Sequence, residues 1–326
     1  LEEVDGKILT PLRFIDELDT KTIAYTHLPR MNSEELYGLV NSKEKIEAHR
    51  QKNQPLINLA KHTLLEKGLS VTALNHFIKC PNTFLYQSIL KLPQAPSTSA
   101  EKGTAMHSAI DAIWKLEDKT LKNIETTLVE KISEFFATSF LNSSEKEIAK
   151  KELFENAPIV AKALESHFDF FKDSAIFTES WVKTEFKVSF NGESFTIPLH
   201  GKMDAIVDSA DSVYVFDYKT KQAMSVNAIK GETKSSDGGY FRQLVFYKIL
   251  INSDSRWRNK RVSPSLVFVS PDDKGRCPTI TLPIEKTDVE NIEKEIQSLT
   301  DSVWSGEIVN KKCDDVKCEW CGIAGV

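Results

Sequence analysis

The sequence predicts an α/β protein: a mixed central sheet of about five strands flanked by helices, with a helical N-terminal part and a helical insertion. Three observations carry that expectation. Helical apolar periodicity dominates the first half of the chain, down to about residue 171. Strand-like alternation then begins at Trp181 and recurs in short runs, the first two joined by Asn191-Gly192, a strong hairpin signal. Helical patterns return at Tyr240–Ile251 and from about Asp288 to Trp304.

Residues 1 to about 32 hold Pro11, Pro29 and scattered charge without sustained periodicity, as a linker or the remnant of a preceding region would. Leu36, Leu39 and Val40 mark one helix over Ser33–Arg50, and Leu56, Leu59, Ala60 and Leu64 a second over Pro55–Lys67, with Gly68 as its C-cap. These 68 residues precede a main body over 69–326. Ser70 caps a helix bearing Leu74, Phe77 and Ile78, which Cys80-Pro81 interrupts. After a loop over Pro93–Ser99, Gly103–Leu116 is helical, with His107, Ile110, Asp111 and Trp114 along one side by their i, i+3, i+4, i+7 spacing. Leu121–Phe140 and Glu145–Phe171 form the helical insertion, about residues 119–175.

Strands are expected at Trp181–Phe190, Phe195–Val207, Val213–Lys219, Ser265–Ser270 and Thr279–Leu282. In Val213–Lys219 the alternation puts Val213, Val215, Asp217 and Lys219 on one face and Tyr214, Phe216 and Tyr218 on the other. Two apolar residues thus lead into an acid and an amine, which are costly to bury unless something uses them.

The 326 residues suffice for a sizeable core, in one large domain or two. A net charge of −5 argues against a general coat of nucleic-acid-binding charge, though a local basic groove is compatible with it. No secretory signal and no run of about 18 apolar residues appears, so a cytoplasmic protein with no membrane partner is expected. A first residue Leu1 in place of Met suggests a piece of something longer. In that compartment the five cysteines favour a metal or cluster over disulfides.

The sharpest constellation is Asp204, Asp217 and Lys219. Carboxylates on neighbouring strands can share a hard divalent cation, and a lysine two residues on can orient water or offset charge growing on a phosphate. The bland alternatives are a solvated hairpin with a surface ion pair, a core histidine at His107, and ordinary helix surface and core at Gln243 and Tyr247.

Four motifs in order resemble the PD-(D/E)XK nuclease superfamily, and within it the nuclease domain of RecB- and AddAB-type helicase-nucleases. They are Gly103-Thr104-Ala105-Met106-His107, His200-Gly201-Lys202-Met203-Asp204, Asp217-Tyr218-Lys219-Thr220 and Gln243-Leu244-Val245-Phe246-Tyr247, within residues 69–326. The resemblance implies a restriction-endonuclease-like core and Mg²⁺ or Mn²⁺ held by His107, Asp204, Asp217 and the backbone carbonyl of Tyr218. It further implies Lys219 on the nucleophilic water, and Gln243 and Tyr247 contacting the scissile strand or bracing the site. Glu185 is expected as a supporting carboxylate; Asp111 and Lys221 receive no role.

Cys80, Cys313, Cys318 and Cys321 are similar to the four-cysteine [4Fe–4S] staple of AddB-like nucleases. The Cys-x4-Cys-x2-Cys spacing here departs from the usual Cys-x2-Cys-x5-Cys, whose third cysteine would fall one residue beyond Val326. Structural Zn²⁺ is the alternative for the same thiolates, and Cys277 is a bystander.

Pro11–Leu18 is faintly similar to the segment that closes the motor of superfamily I helicases, although no phosphate-binding Gly-x-x-x-x-Gly-Lys-Ser/Thr loop occurs. The resulting expectation is a metal-dependent DNA exonuclease acting on single-stranded ends. A helicase motor in the same chain or a partner subunit would feed it, in repair and recombination. The alternatives are a catalytically silent nuclease-like DNA-binding scaffold and a zinc- or cluster-stapled interaction module.

Overall fold

The computed structural model describes residues 3–4, 7–8 and 43–325. Two units divide the chain at Ala48 and His49. In the first, Glu3–Val4 pairs antiparallel with Lys7–Ile8. The expectations for Pro11–Leu18 and for the start of a helix at Ser33 lie outside the described residues.

Helix α1 (Lys43–Lys52) runs into α2 (Gln54–Glu66), which starts on Pro55 and buries Ile57, Ala60 and Leu64. It stops at Gly68, whose φ of +83° and whose approach to the Pro198 carbonyl leave no room for a Cβ. Next come β1 (Leu69–Ser70) and α3 (Val71–Lys79), capped by the Ser70 hydroxyl, which accepts from the Ala73 N–H at 3.2 Å. Cys80-Pro81 breaks the helix as expected, and the chain restarts as a short turn that widens into a π-helical segment over Phe84–Ile89.

Helix α4 (Thr98–Trp114) begins within the expected loop, because Ser97 caps it by accepting from the Ala100 N–H at 3.2 Å. The insertion is the antiparallel-type pair α5 (Leu121–Thr138) and α6 (Ser143–Phe170), the latter opened by a reciprocal capping box of Asn142 and Glu145.

A long ribbon of β2 (Ala175–Phe190) and β3 (Glu193–Asp208) turns at Asn191-Gly192, both with positive φ as a two-residue hairpin loop requires. Strand β4 (Ser212–Lys219) follows, then α7 (Val226–Lys230), α8 (Gly239–Ser253), β5 (Arg261–Phe268), β6 (Thr279–Thr281) and α9 (Lys286–Trp304). A last short helix, α10 (Glu319–Ala324), carries Cys321.

The sheet is mixed and six-stranded, with β3 as its hub. Along one edge β3 pairs antiparallel with β2; along the other it meets β1 in parallel at Leu69–Leu199 and β4 antiparallel at Ala205–Phe216. Strand β5 adds in parallel to β4, and β6 antiparallel to β5. The sixth strand, β1, spans two residues and shows no alternation for the sequence to display.

Each face of the sheet packs against helices. Leu199, Met203 and Val215 share a core with Leu64 of α2, Leu74 of α3, Phe246 of α8 and Ile296 of α9. On the other face Ala205, Val207, Phe216 and Tyr218 pack with Ile110 of α4, Leu128 of α5 and Leu164 of α6. No described helix is long and apolar enough to cross a membrane.

Candidate active site

The end of β4 delivers Asp217 and Lys219, and antiparallel pairing sets Asp204 of β3 beside them, one step past the Ala205–Phe216 pair. Asp204 bridges two elements: its Oδ2 accepts from the Tyr218 N–H at 2.8 Å, and its Oδ1 lies 3.1 Å from Nδ1 of His107 on α4. Gly103 of α4 faces the Thr220 hydroxyl, where a Cβ would make an ordinary contact at 3.5 Å.

Lys219 Nζ lies 2.5 Å from Asp217 Oδ2 and donates to Gln243 Oε1 at 3.0 Å. Gln243, on α8, returns its amide to Asp217 Oδ1 at 2.6 Å and to the Tyr247 hydroxyl at 2.8 Å. Tyr247 in turn donates towards Asp217 Oδ1 and the Lys202 carbonyl, both at 3.4 Å. His107 and Asp204 thus form one bonded group and Lys219, Asp217, Gln243 and Tyr247 a second, joined through the Tyr218 N–H, with Gln243 and Tyr247 bracing Asp217.

Burial sets the electrostatics. It raises the Asp217 carboxyl above its ordinary range; the Lys219 charge opposes this and the Asp204 charge adds to it. Burial pulls Lys219 down, but Asp217 outweighs it and leaves the ammonium above its usual pKa. Burial likewise lowers His107, but its hydrogen bond to Asp204 together with the Asp204 and Asp217 charges outweighs this, so the imidazole ends up raised. Among the described residues, Asp217 Oδ2 is a buried oxygen without a hydrogen bond, facing the Lys219 ammonium as an ion pair. Lys219 thus occupies Asp217, while Asp204 offers a hard carboxylate oxygen of the kind Mg²⁺ or Mn²⁺ prefers, with the His107 nitrogen beside it.

One residue escaped the sequence reading. Glu179 occupies the place on β2 opposite Asp204, where the ladder pairs Thr178 with Ala205 and Ser180 with Met203 but skips the step between. Its φ is +51°, a left-handed conformation uncommon for a glutamate. The distortion has a consequence in β3: Met203 faces one core and Ala205 the other, so the alternation changes phase at Asp204. Glu179, His107 and Asp204 can bring one ligand atom each to within 4.8 Å of one another, and Glu179 also pairs with Lys202. Glu185, expected in a supporting role, lies opposite Pro198 in the exposed part of β2.

Lys221 stacks its ammonium 4.4 Å over the Tyr240 ring, beside Lys219 at 4.9 Å. Asp111, one turn beyond His107 on α4, accepts from Lys115 at 2.6 Å through its Oδ2. Behind β4 the Tyr218 hydroxyl accepts from the Trp114 indole N–H at 2.9 Å and sits 3.3 Å from Nε2 of His167.

The second cluster forms where the ends of the main body meet. Sγ of Cys80 lies 3.5 Å from Cys321 and 3.7 Å from Cys318, and Cys313 lies 3.8 Å from Cys321. Burial raises the Cys321 thiol, but hydrogen bonds from the Cys313 backbone and from Asn82 outweigh it and carry it down to about 7. Asn82 also ties this corner to the Lys311 carbonyl at 2.9 Å, and Tyr86 stacks on Trp320. Four thiols within 4.8 Å of one another, none in a disulfide, suit a thiophilic metal or cluster. Cys277 stays apart from them, as expected.

Residues 68–326 match the model of the PD-(D/E)XK nuclease superfamily, and the chain belongs to that superfamily. Nucleases of this kind use divalent metals, in keeping with the ligand atoms that His107, Glu179 and Asp204 bring together. Among solved structures the chain is similar to a candidate exonuclease from Eubacterium rectale, at 12% identity, covering 90% of this chain and 93% of that one, with a TM-score of 0.47. It is also similar to an alkaline exonuclease from Laribacter hongkongensis, at 10% identity, covering 64% of this chain and 93% of that one, with a TM-score of 0.27. No curated protein matches it.

Proposed function

We propose that the chain is a Mg²⁺- or Mn²⁺-dependent deoxyribonuclease that shortens single-stranded ends. The observation that carries this reading is the convergence of two bonded pairs, His107 with Asp204 and Asp217 with Lys219, from one helix and two strands, which the Tyr218 N–H ties together by donating to Asp204. His107, Asp204, Asp217 and the Tyr218 carbonyl would hold the metal, with Glu179 as a further carboxylate. When bound, that ion supplies charge stabilisation for the transition state and acidifies water.

The protein's own groups supply the rest. Lys219, kept protonated by Asp217, orients the attacking water and offsets charge growing on the phosphate rather than serving as a base. Gln243 and Tyr247 hold Asp217 in register with it.

The four thiols are proposed to carry a [4Fe–4S] cluster, with Zn²⁺ as the second occupant the same donors would accept. A reduced thiol set also suits a cytoplasmic setting. The similarity of Pro11–Leu18 to the end of a helicase motor supports a motor in the same chain or a partner subunit, and with it a role in DNA repair and recombination.

A cleavage assay on end-labelled single-stranded and duplex DNA, with Mg²⁺ and Mn²⁺, tests the reading. Release of label that depends on metal and falls at least about a hundredfold in Asp217→Ala is expected. Equal release by that variant would remove the assignment.

A further inference from the structure

Beyond Glu179, the β2–β3 ribbon carries side chains that hydrolysis does not use. Trp181 stands opposite Lys202, and Lys183 opposite His200. Cross-strand partners project from the same face of a sheet, so these four share the face opposite Val182 and Met203, which are buried in the core. The Trp181 indole is 59% exposed, a large ring left in water two residues from Glu179. Its centroid lies 5.7 Å from the His200 ring, tilted by 46°.

Lysines flank this aromatic pair, with the exposed Glu185 two residues beyond Lys183 on the same face of β2. Lys183 stands opposite His200 and Lys91 lines a cleft with it, and burial followed by these two charges lowers the His200 imidazole. His200 Nδ1 is buried without a hydrogen-bond partner among the described residues. Past His200 opens a cleft of about 460 Å³, lined by Thr72, His76, Ser88 and Lys91 among others. Lys202 is the exception among the cations, its charge shared with Glu179.

A single exposed indole flanked by lysines is not the contiguous apolar patch that a protein partner would bury. It fits a ligand that is anionic and flat-faced at once. Stacking on the indole needs a base with an open face, which a single strand offers and an intact duplex does not.

We propose that this face is a strand guide. Single-stranded DNA would lie along β2–β3 with a base on Trp181, phosphates near Lys183 and Lys91, and a polar group meeting His200. Its next phosphates would then reach Asp204 and Lys219. The proposal rests on the nuclease reading and specifies how that site receives its substrate.

Anisotropy of a labelled oligothymidylate, measured on the full chain in EDTA, separates binding from cleavage. Trp181→Ala should weaken binding about tenfold, within the range for loss of one base–aromatic stack, while Trp181→Phe stays near wild type. Lys183→Ala should lower the slope of log K against log salt by about 0.7, one phosphate contact on a single strand. Blunt duplex of the same length should be unaffected by the tryptophan change.

Undiminished oligonucleotide binding by Trp181→Ala, an equal loss on duplex, or no oligonucleotide binding by wild type would overturn the strand guide. The cleavage assay keeps the two readings separable. Wild type that cleaves while Trp181→Ala binds normally loses the guide alone; wild type without metal-dependent cleavage loses the nuclease reading itself.

Discussion

Asp217 shows what a single buried carboxylate demands of its surroundings. Its charge is tolerable only because Lys219, Gln243 and Tyr247 converge on it, since an uncompensated buried ion costs several kcal/mol. The acid and the lysine were legible in the sequence because an apolar strand led into them. Glu179 was not, because its role comes from a left-handed backbone at a position no local pattern marks. His167 yields a prediction at the same scale. Burial among Trp114, Phe168, Phe171 and Phe216 lowers it to about 4. A histidine neutral in the fold and protonated when unfolded makes the unfolded state bind more protons between about pH 6.5 and 4, so stability falls as pH falls through that window. Denaturant titrations should lose roughly 2–3 kcal/mol across it, and His167→Gln should flatten that dependence.

At the scale of elements, the β2–β3 ribbon carries the site, and the phase change at Asp204 turns one carboxylate toward α4 while the strand continues into the opposite core. Regular stretches of this ribbon were legible through alternation and the Asn-Gly turn. The additional six residues at the start of β2 were not, because Ala175–Ser180 lacks a clean apolar–polar rhythm. Strand β5 was likewise read late, because Pro264 sits inside it. Gly201 makes the packing of α8 on β3 testable: a Cβ there would lie 2.9 Å from Leu250 Cδ1 and 3.4 Å from Tyr247 Cε1. Gly201→Val should therefore destabilise the protein by about 1–3 kcal/mol in chemical denaturation and displace Tyr247 from Asp217. In the insertion, Asn142→Ala removes one arm of the capping box and should cost about 1 kcal/mol by the same measurement.

For the whole molecule, the sheet gathers His107, Lys219 and Gln243 from positions more than a hundred residues apart, and the cysteine corner joins Cys80 to Cys318 and Cys321. Both assemblies were legible as sets of residues; their distances and the bracing by Asn82, Tyr86 and Trp320 depend on tertiary packing that no sequence pattern encodes. Cys80→Ser should abolish stoichiometric iron and sulfide, with the absorbance near about 400 nm of an iron–sulfur centre, and lower the thermal midpoint. Zinc in their place would identify the other occupant. The proposed hydrolysis depends on Lys219 working with Asp217 on a phosphate, so the rate of Mn²⁺-dependent cleavage of end-labelled single-stranded DNA by wild type beside Lys219→Gln is the decisive measurement. With both proteins shown to be folded by circular dichroism, wild type should cleave and the variant should be slower by at least about a hundredfold; equal rates, or no cleavage by wild type, would contradict it.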